Sequence, residues 1–551
     1  MQFTMKTKIL TVLVAMSGVL GMYAQDSLWV RYDNRFKEPK FLMDISTYDS
    51  IEFRARGTMP ILRRYSSEFS NGYSDFRLQG MTGAEGAALV IGDPGLTLWK
   101  PRTSDNSYNN DYNDPDAKWS FKHSKESEHF VVFWDSRFGD NPNASSVPSN
   151  MRVDIDDLLK KAEKFYETNV EKLGMVVTKQ GKSQLDRYKM MIYLLYQTEW
   201  LATGSGYDNV IGALWVNPST CQPVGSTIAH EIGHSFQYQT YCDNIYRGKA
   251  NDMRSGFRYG YPNSNGGNGF WEQCAQWQSY QDYPSEAINS YHFDVWMRNH
   301  HRHFEHEFMR YASYWLQFYW TEKNGITALG RIWNESYYPE DASQAYMRLF
   351  CGNDYQELMR QYFEYAQKTT TFDYDHVRSY VGTKYSRYSV SLINVADGWK
   401  QIAYAKCPQP TGFNAISLTV PEVGTEVKVS LKPLAAGSAL ASGDSGIQVD
   451  ADGNKVATVK NYNNTAVAGY EQLAYGFVGI KTDGTRVYGD MNLATPDAEG
   501  TATFTVSDKF RYLWVVVQGA PTKYFQSPWD EKESTDHQLP YQIKIEGTSV
   551  K

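Results

Sequence analysis

The stretch STIAHEIGHSFQYQ, Ser226 to Gln239, decides how the rest of the chain is read. Val224, Ile228 and Ile232 recur at a step of four, so the segment is a helix with one apolar stripe facing a core. Ser226 or Thr227 is placed to cap its start. His230 and His234 stand four apart on a different stripe, the spacing at which two imidazoles grip one metal ion, and zinc suits these donors. Glu231 is rotated about 100° from His230. That sets it beside the metal as a proton acceptor and not as a ligand. Gly233 leaves a bare face that another backbone can approach. With 11 His in 551 residues, the HExxH pattern arises by chance in roughly one such chain in a hundred.

A catalytic zinc takes a third protein ligand and keeps one open position. The segment GNGFWEQCAQWQSYQ supplies Glu272 in the first turn of the next helix, and the Gly-rich NSNGGNG before it lets the chain turn back. A rival source is the run YHFDVWMRNHHRHFEHE, with His292, His300, His301, His303 and His306, which otherwise reads as a polar helix or loop. Tyr291 or one of these histidines is a candidate hydrogen-bond donor to a developing oxyanion. Upstream, VIGALWVNP (210–218) reads as a strand, and as the edge strand that would pair with a substrate backbone. Trp215, Tyr291 and His292 are the candidate substrate-binding residues.

Outward from this centre the texture changes twice. HFVVFWD and YKMMIYLLY read as strands, with the amphipathic helix DIDDLLKKAEKFYETNVEKLG between them. From Gly269 to about Thr369 the chain reads as mainly helical: GFWEQCAQWQSYQ, FEHEFMRYASYWLQFYWTEK, ITALGRIWNES and DYQELMRQYFEYAQK. The last carries Asp354 and Glu357 at capping-box spacing. After about Phe372, short alternating runs between Gly, Pro and Asp turns give the pattern of a β-sandwich. Before residue 103, SIEFRARG and AALVIGD are strand-like, and the Asn/Asp/Ser-rich TSDNSYNNDYNDPDAKW reads as a linker. The expected architecture is multidomain α+β. Residues 1–24 form a leader, 25–114 a β-rich domain and linker, 115–372 the domain that holds the metal, and 373–551 a β-sandwich.

Lys6 and Lys8 precede an apolar run, residues 9–20, with a small residue at Ala24. This is the pattern of a cleaved secretory signal, so the expectation is export to the periplasm, cell surface or exterior. No other run reaches membrane-spanning length. The net charge of -7, without a long basic run, argues against nucleic acid as a partner. The 41 Tyr and 15 Trp fit aromatic packing in large cores, and they also allow glycan contact through the β domains. Five scattered cysteines, none in a CxxC pair, exclude a disulfide scaffold. One helix between Cys221 and Cys242 would hold them roughly 30 Å apart.

HExxH on one helix with a Glu on the next resembles the gluzincin metallopeptidases. HEIGHSFQ is similar to the HExGHxxQ form of enhancin-like, mucin-targeting peptidases. SEHFVVFWD, AHEIGHSFQYQ, WEQCAQWQ and GFNAISL also resemble the landmarks of an uncharacterised family of secreted bacterial gluzincin-like proteins. The resemblance covers roughly Pro115 to the C-terminus. It implies a zincin-like domain holding Zn2+ through His230, His234 and Glu272. The implied activity is hydrolysis of peptide bonds in protein or glycoprotein substrates by Glu231-assisted attack of zinc-bound water. The alternative is a non-catalytic glycan- or protein-binding protein on the same fold. A glycoside-cleaving carboxylate pair has no telling context among the 62 acidic residues.

Overall fold

In the computed structural model, residues 96–102, 110–249, 269–337 and 340–551 are described in full, and before them only the backbone of short strands within the first 91 residues. Among those strands, Ser27–Tyr32 pairs antiparallel with Leu42–Asp44 and with Ala87–Ile91. Ile61–Tyr65 pairs with Ser50–Glu52 and with Tyr73–Arg77. Lys6, Lys8, the apolar run 9–20, Ala24, residues 103–109 of the Asn-rich stretch and the Gly-rich loop before Gly269 lie outside the described residues; the rest of that stretch is no linker, since Tyr112 and Trp119 are buried in the core.

The architecture is mixed α/β, with several sheets and nine α-helices among the described residues. One five-stranded sheet carries the helix of His230 and His234, the expected metal helix. Its strands in chain order are β1 (Ser124–Glu126), β2 (Phe130–Trp134), β3 (Met190–Leu194), β4 (Ala202–Tyr207) and β5 (Ile211–Val216). Their spatial order is β4-β5-β3-β2-β1. β3 is parallel to both β2 and β5, whereas β4 runs antiparallel to β5 and β1 antiparallel to β2. Every residue of β2 and β3 is buried, as expected of central strands covered on both faces. On one face lie helix α1 (Ile155–Glu167) and the metal helix α2 (Ser226–Tyr246). On the other, Tyr112 and Trp119 pack edge-on against Phe133 and Tyr193.

Two expectations are corrected by this topology. The edge strand is not 210–218, whose core β5 is held between β3 and β4. The edge is β4, ATGSGY, too polar and glycine-rich to read as a strand by hydrophobic pattern. Ser226 and Thr227 do not cap α2 either. Gly225 occupies the cap position without a side-chain hydrogen bond.

The helical layer follows: α3 (Gly269–Tyr280), α4 (Glu286–Asn289), α5 (Tyr291–Asn299), α6 (Trp315–Asn324), α7 (Ala328–Glu335), α8 (Ala342–Phe350) and α9 (Tyr355–Thr370). The segment read as one long helix from Phe304 is helical only from Trp315, apart from one 3-10 turn at Glu307–Met309. Asp354 caps α9 by accepting from the backbone N–H groups of Gln356 and Glu357, while Glu357 turns its carboxylate to Arg360 and Gln361.

The C-terminal region is built of two facing antiparallel sheets. Alternate residues such as Val427, Val429 and Leu431 from one sheet and Val515, Val517 and Phe477 from the other form a single core. The outer face of the second sheet is buried as well. Ala474, Val478, Trp514 and Val516 join the core of the helical layer, and the carboxamide of Gln367 on α9 donates to the Gly489 carbonyl. At Gly412 a Cβ would stand 2.0 Å from the His301 carbonyl oxygen, so the two regions touch backbone to backbone there. The five cysteines are buried and none is in a disulfide. No helix of the described residues is long and apolar enough to cross a membrane.

Candidate metal centre

The metal helix is clamped from two sides by residues that lack bulk. A Cβ on Gly204 of β4 would lie 2.0 Å from the Glu231 carbonyl oxygen and 2.8 Å from His234 Cβ. One on Gly206 would meet the Tyr238 ring at 2.4 Å, and one on Gly212 the Ser235 carbonyl at 2.8 Å. These glycines share the sheet face under α2, since Gly206 sits opposite Gly212 in the ladder. On the far side, a Cβ on Gly233 would lie 3.3 Å from the Gln278 carboxamide and 3.4 Å from Ala275 Cα. The backbone that approaches the bare face of Gly233 is therefore that of α3.

This close packing brings Glu272 onto the two histidines. Its Oε2 stands 3.1 Å from His230 Nε2 and 3.0 Å from His234 Nε2, and the three residues are buried. Two donors each about 2.05 Å from a tetrahedral zinc ion lie about 3.35 Å apart. The observed spacing thus converges on one point at the scale of a coordination sphere. The donor set, two imidazole nitrogens and one carboxylate, fits a metal ion, and the group is the one cluster of this kind among the described residues.

His234 is held by more than its ligand partner. Its Nδ1 lies 2.9 Å from Gln237 Oε1, and the Gln237 amide donates to the Trp271 carbonyl at 3.0 Å and to Gln278 Oε1 at 2.8 Å. Gln237 therefore accepts the Nδ1 proton and leaves Nε2 to face Glu272. Burial alone would disfavour the His234 cation, but the Glu272 carboxylate outweighs it and raises its pKa to about 9. Burial likewise works against ionised Glu272, yet His234 and His230 hold it well below the usual carboxylate range. A divalent cation bound here would take the place of any proton shared between His234 Nε2 and the carboxylate.

The centre opens into a cleft of about 740 Å³. Glu231 lines it next to the ligands, with Ala202 to Ser205 of the edge strand along one wall. The outer edge of β4 carries no further strand among the described residues. Tyr311 donates to Glu272 Oε1 at 3.1 Å, and its ring stacks on His292 with centroids 5.6 Å apart. Burial, with His230 adding repulsion, lowers the His292 pKa to about 4, so this imidazole is neutral at pH 7. Two exposed aromatics, Trp200 (66% exposed) and Tyr291 (72%), stand at the rim.

The sequence-derived residues divide as follows. His230, Glu231, His234, Glu272, Tyr291 and His292 share the cleft. Trp215 does not. It pairs across the ladder with Thr203 and Tyr193, on the sheet face opposite the glycines, and stacks on Tyr193 at 5.9 Å. Its parity turns it from the metal helix, and its place on an inner strand keeps it from the cleft wall that Thr203 reaches on the edge. His300, His301, His303 and His306 are buried away from the cleft. His306 donates to Asp536 Oδ2 at 2.8 Å, and Arg302 pairs with Glu533 at 3.0 Å, so this run fastens the C-terminal region. Sequence reading gave no role to Gln237, although it ends the HExGHxxQ pattern, and missed Tyr311, for which no local signal exists.

A family model described as "Family of unknown function (DUF6055)" matches residues 95–551. No curated protein matches the chain. Among solved structures, one described as "Crystal structure of PirA" is similar over 28% of this chain and 96% of that one, at 11% identity and a TM-score of 0.14.

Proposed function

We propose, for a chain that belongs to the DUF6055 family of unknown function, a zinc-dependent peptidase of zincin-like fold acting on protein or glycoprotein substrates. The observation that carries the reading is the convergence of His230, His234 and Glu272 at the floor of an open cleft, with Glu231 beside them and not among them. A site that only had to hold a metal would have no use for a second buried acid at that place. The antiparallel edge strand β4 along the cleft wall adds support, because an extended peptide can pair with such an edge. The gluzincin-type motif and the expected export signal belong to the same proposal.

Zinc, when bound, supplies Lewis acidity toward a water and toward a substrate carbonyl. The chain's own residues do the rest. Glu231 accepts the proton of the attacking water and returns it to the leaving amine. The neutral His292 is a donor within the cleft that can face a developing oxyanion, and the Tyr311 hydroxyl beside it would have to turn from Glu272 to do the same. The β4 edge orients the substrate backbone across them.

The test is paired. Zinc content is measured in wild type and in Glu231→Gln, and both are assayed on casein and on a mucin-type glycoprotein. Zinc in both proteins with cleavage by wild type alone is the expected result. Absence of zinc after gentle purification and zinc addition overturns the reading. Zinc without cleavage of any substrate moves the assignment to a metal-stabilised glycan- or protein-binding protein.

A further inference from the structure

The cleft does not end at the metal. Glu272, Gln276 and Tyr280 recur every four residues on α3 and all three line it, so it follows one face of that helix away from the ligands. Eight residues of helix carry the lining about 12 Å from Glu272. Tyr280, Ser290 and Glu286 line that far end, with the Tyr280 hydroxyl bonded to Ser290 and the Glu286 charge felt by Tyr280. The end is rigid. Ala287 and Ile288, next to Glu286, are fully buried, and the Ala287 carbonyl accepts from the Tyr314 hydroxyl at 2.6 Å. Ser290 Oγ accepts from the Phe293 N–H at 3.2 Å and from the Tyr280 hydroxyl at 3.3 Å.

The charge of the lining is one-sided. It holds Glu231, Glu272 and Glu286 and neither lysine nor arginine. Glu231 and Glu272 are committed to the metal centre, which leaves Glu286 as the acid available to a substrate. We infer that Glu286 makes the far end of the cleft a subsite for a basic side chain, lysine or arginine, of the peptide being cut. This deepens the peptidase reading and rests on it. A backbone α-ammonium cannot be the cation recognised when it belongs to the residue at the scissile bond. One residue step is about 3.8 Å, far short of the subsite. The long aliphatic stem of lysine or arginine suits the gap, passing Gln276 and the Tyr280 ring with the charge at its tip.

An N-acetylated random peptide library, cut by the zinc-loaded protein and read by mass spectrometry, tests this. Wild type is expected to enrich Lys and Arg at one fixed position relative to the cut, Glu286→Gln to lose the enrichment, and Glu286→Arg to favour Glu or Asp there. A second readout avoids turnover. Zinc-loaded Glu231→Gln should bind the best lysine peptide about tenfold more tightly than its norleucine analogue, and the double variant with Glu286→Gln should not. Cleavage without basic preference, or a preference that survives Glu286→Gln, overturns the subsite and leaves the peptidase reading standing. No cleavage of any library member by zinc-loaded wild type removes both.

Discussion

Gln237→Leu tests whether the site is held by the frame described above. The leucine has nearly the same volume and removes three contacts: the acceptor for His234 Nδ1 and the donors to the Trp271 carbonyl and to Gln278 Oε1. Without its acceptor the His234 ring loses both its orientation and its tautomer bias. Loss of such an outer partner weakens metal binding about 10- to 100-fold, or about 1.4–2.7 kcal/mol. Gln278 Oε1 loses its donor in a buried setting, which destabilises the protein by about 1–3 kcal/mol. Zinc affinity is read by competition with a chromophoric chelator, and stability by thermal unfolding of the metal-free protein. Gln237→Glu separates the two effects. It restores an acceptor for Nδ1 but has no proton for Trp271 or Gln278, so zinc affinity should recover while stability stays low. Zinc affinity of Gln237→Leu within about threefold of wild type, well short of the expected range, would refute the orienting role.

Gly204→Ala should be among the most damaging single methyl additions in the chain, because the new Cβ would meet backbone 2.0 Å away. Overpacking of this kind costs about 1–3 kcal/mol or more, read as a lower Tm together with weaker zinc binding. Chelation of wild type should lower Tm, and zinc should restore it in proportion to the logarithm of free zinc. His230→Ala, which removes a ligand, should abolish that zinc response. Asp243 is buried, and desolvation raises its pKa to about 6 despite the Gln184 N–H and the Gln239 amide that bond its Oδ1. Its folded pKa exceeds the unfolded one, so its contribution to stability is greatest below about pH 4 and is lost as pH rises through 6. Asp243→Asn keeps the acceptor oxygen and should flatten the Tm profile between those pH values. An unchanged slope would show that Asp243 is ionised throughout.

The cluster of His230, His234 and Glu272 was legible because coordination chemistry imposes a local code: a turn of helix between two histidines, and an acid at the start of the next helix. The C-terminal strands were legible because their inner residues alternate, Val427, Val429 and Leu431 being the plainest case. What escaped was set by partners far away in sequence. The histidine run read as a polar helix or loop, since nothing near residue 300 announces Asp536, Glu533 or Gln409, which bond His306, Arg302 and the His303 N–H inside. Trp215 was assigned to the cleft because a strand read alone does not say which of its two faces meets the metal helix.

The metal helix itself shows why amphipathic pattern was the wrong guide to its surroundings. One stripe was read as its core side, yet every residue from Ile228 to Asn244 is buried. Its polar side chains are internal struts. Ser235 donates to the Ala213 carbonyl at 3.0 Å, Gln239 accepts from the Gly212 N–H at 3.0 Å and donates to the Val210 carbonyl, and Gln237 ties the helix to α3. A helix hydrogen-bonded to its sheet through side chains, over strands stripped to glycine, cannot slide or rotate without leaving buried polar groups unpaired. To hold one metal ion, His230, His234 and Glu272 on their two helices would have to keep their relative positions to within about half an ångström, and this frame supplies that constraint. The glycines of ATGSGY, which hid the strand from sequence reading, are the same feature that lets the helix sit close enough to be held.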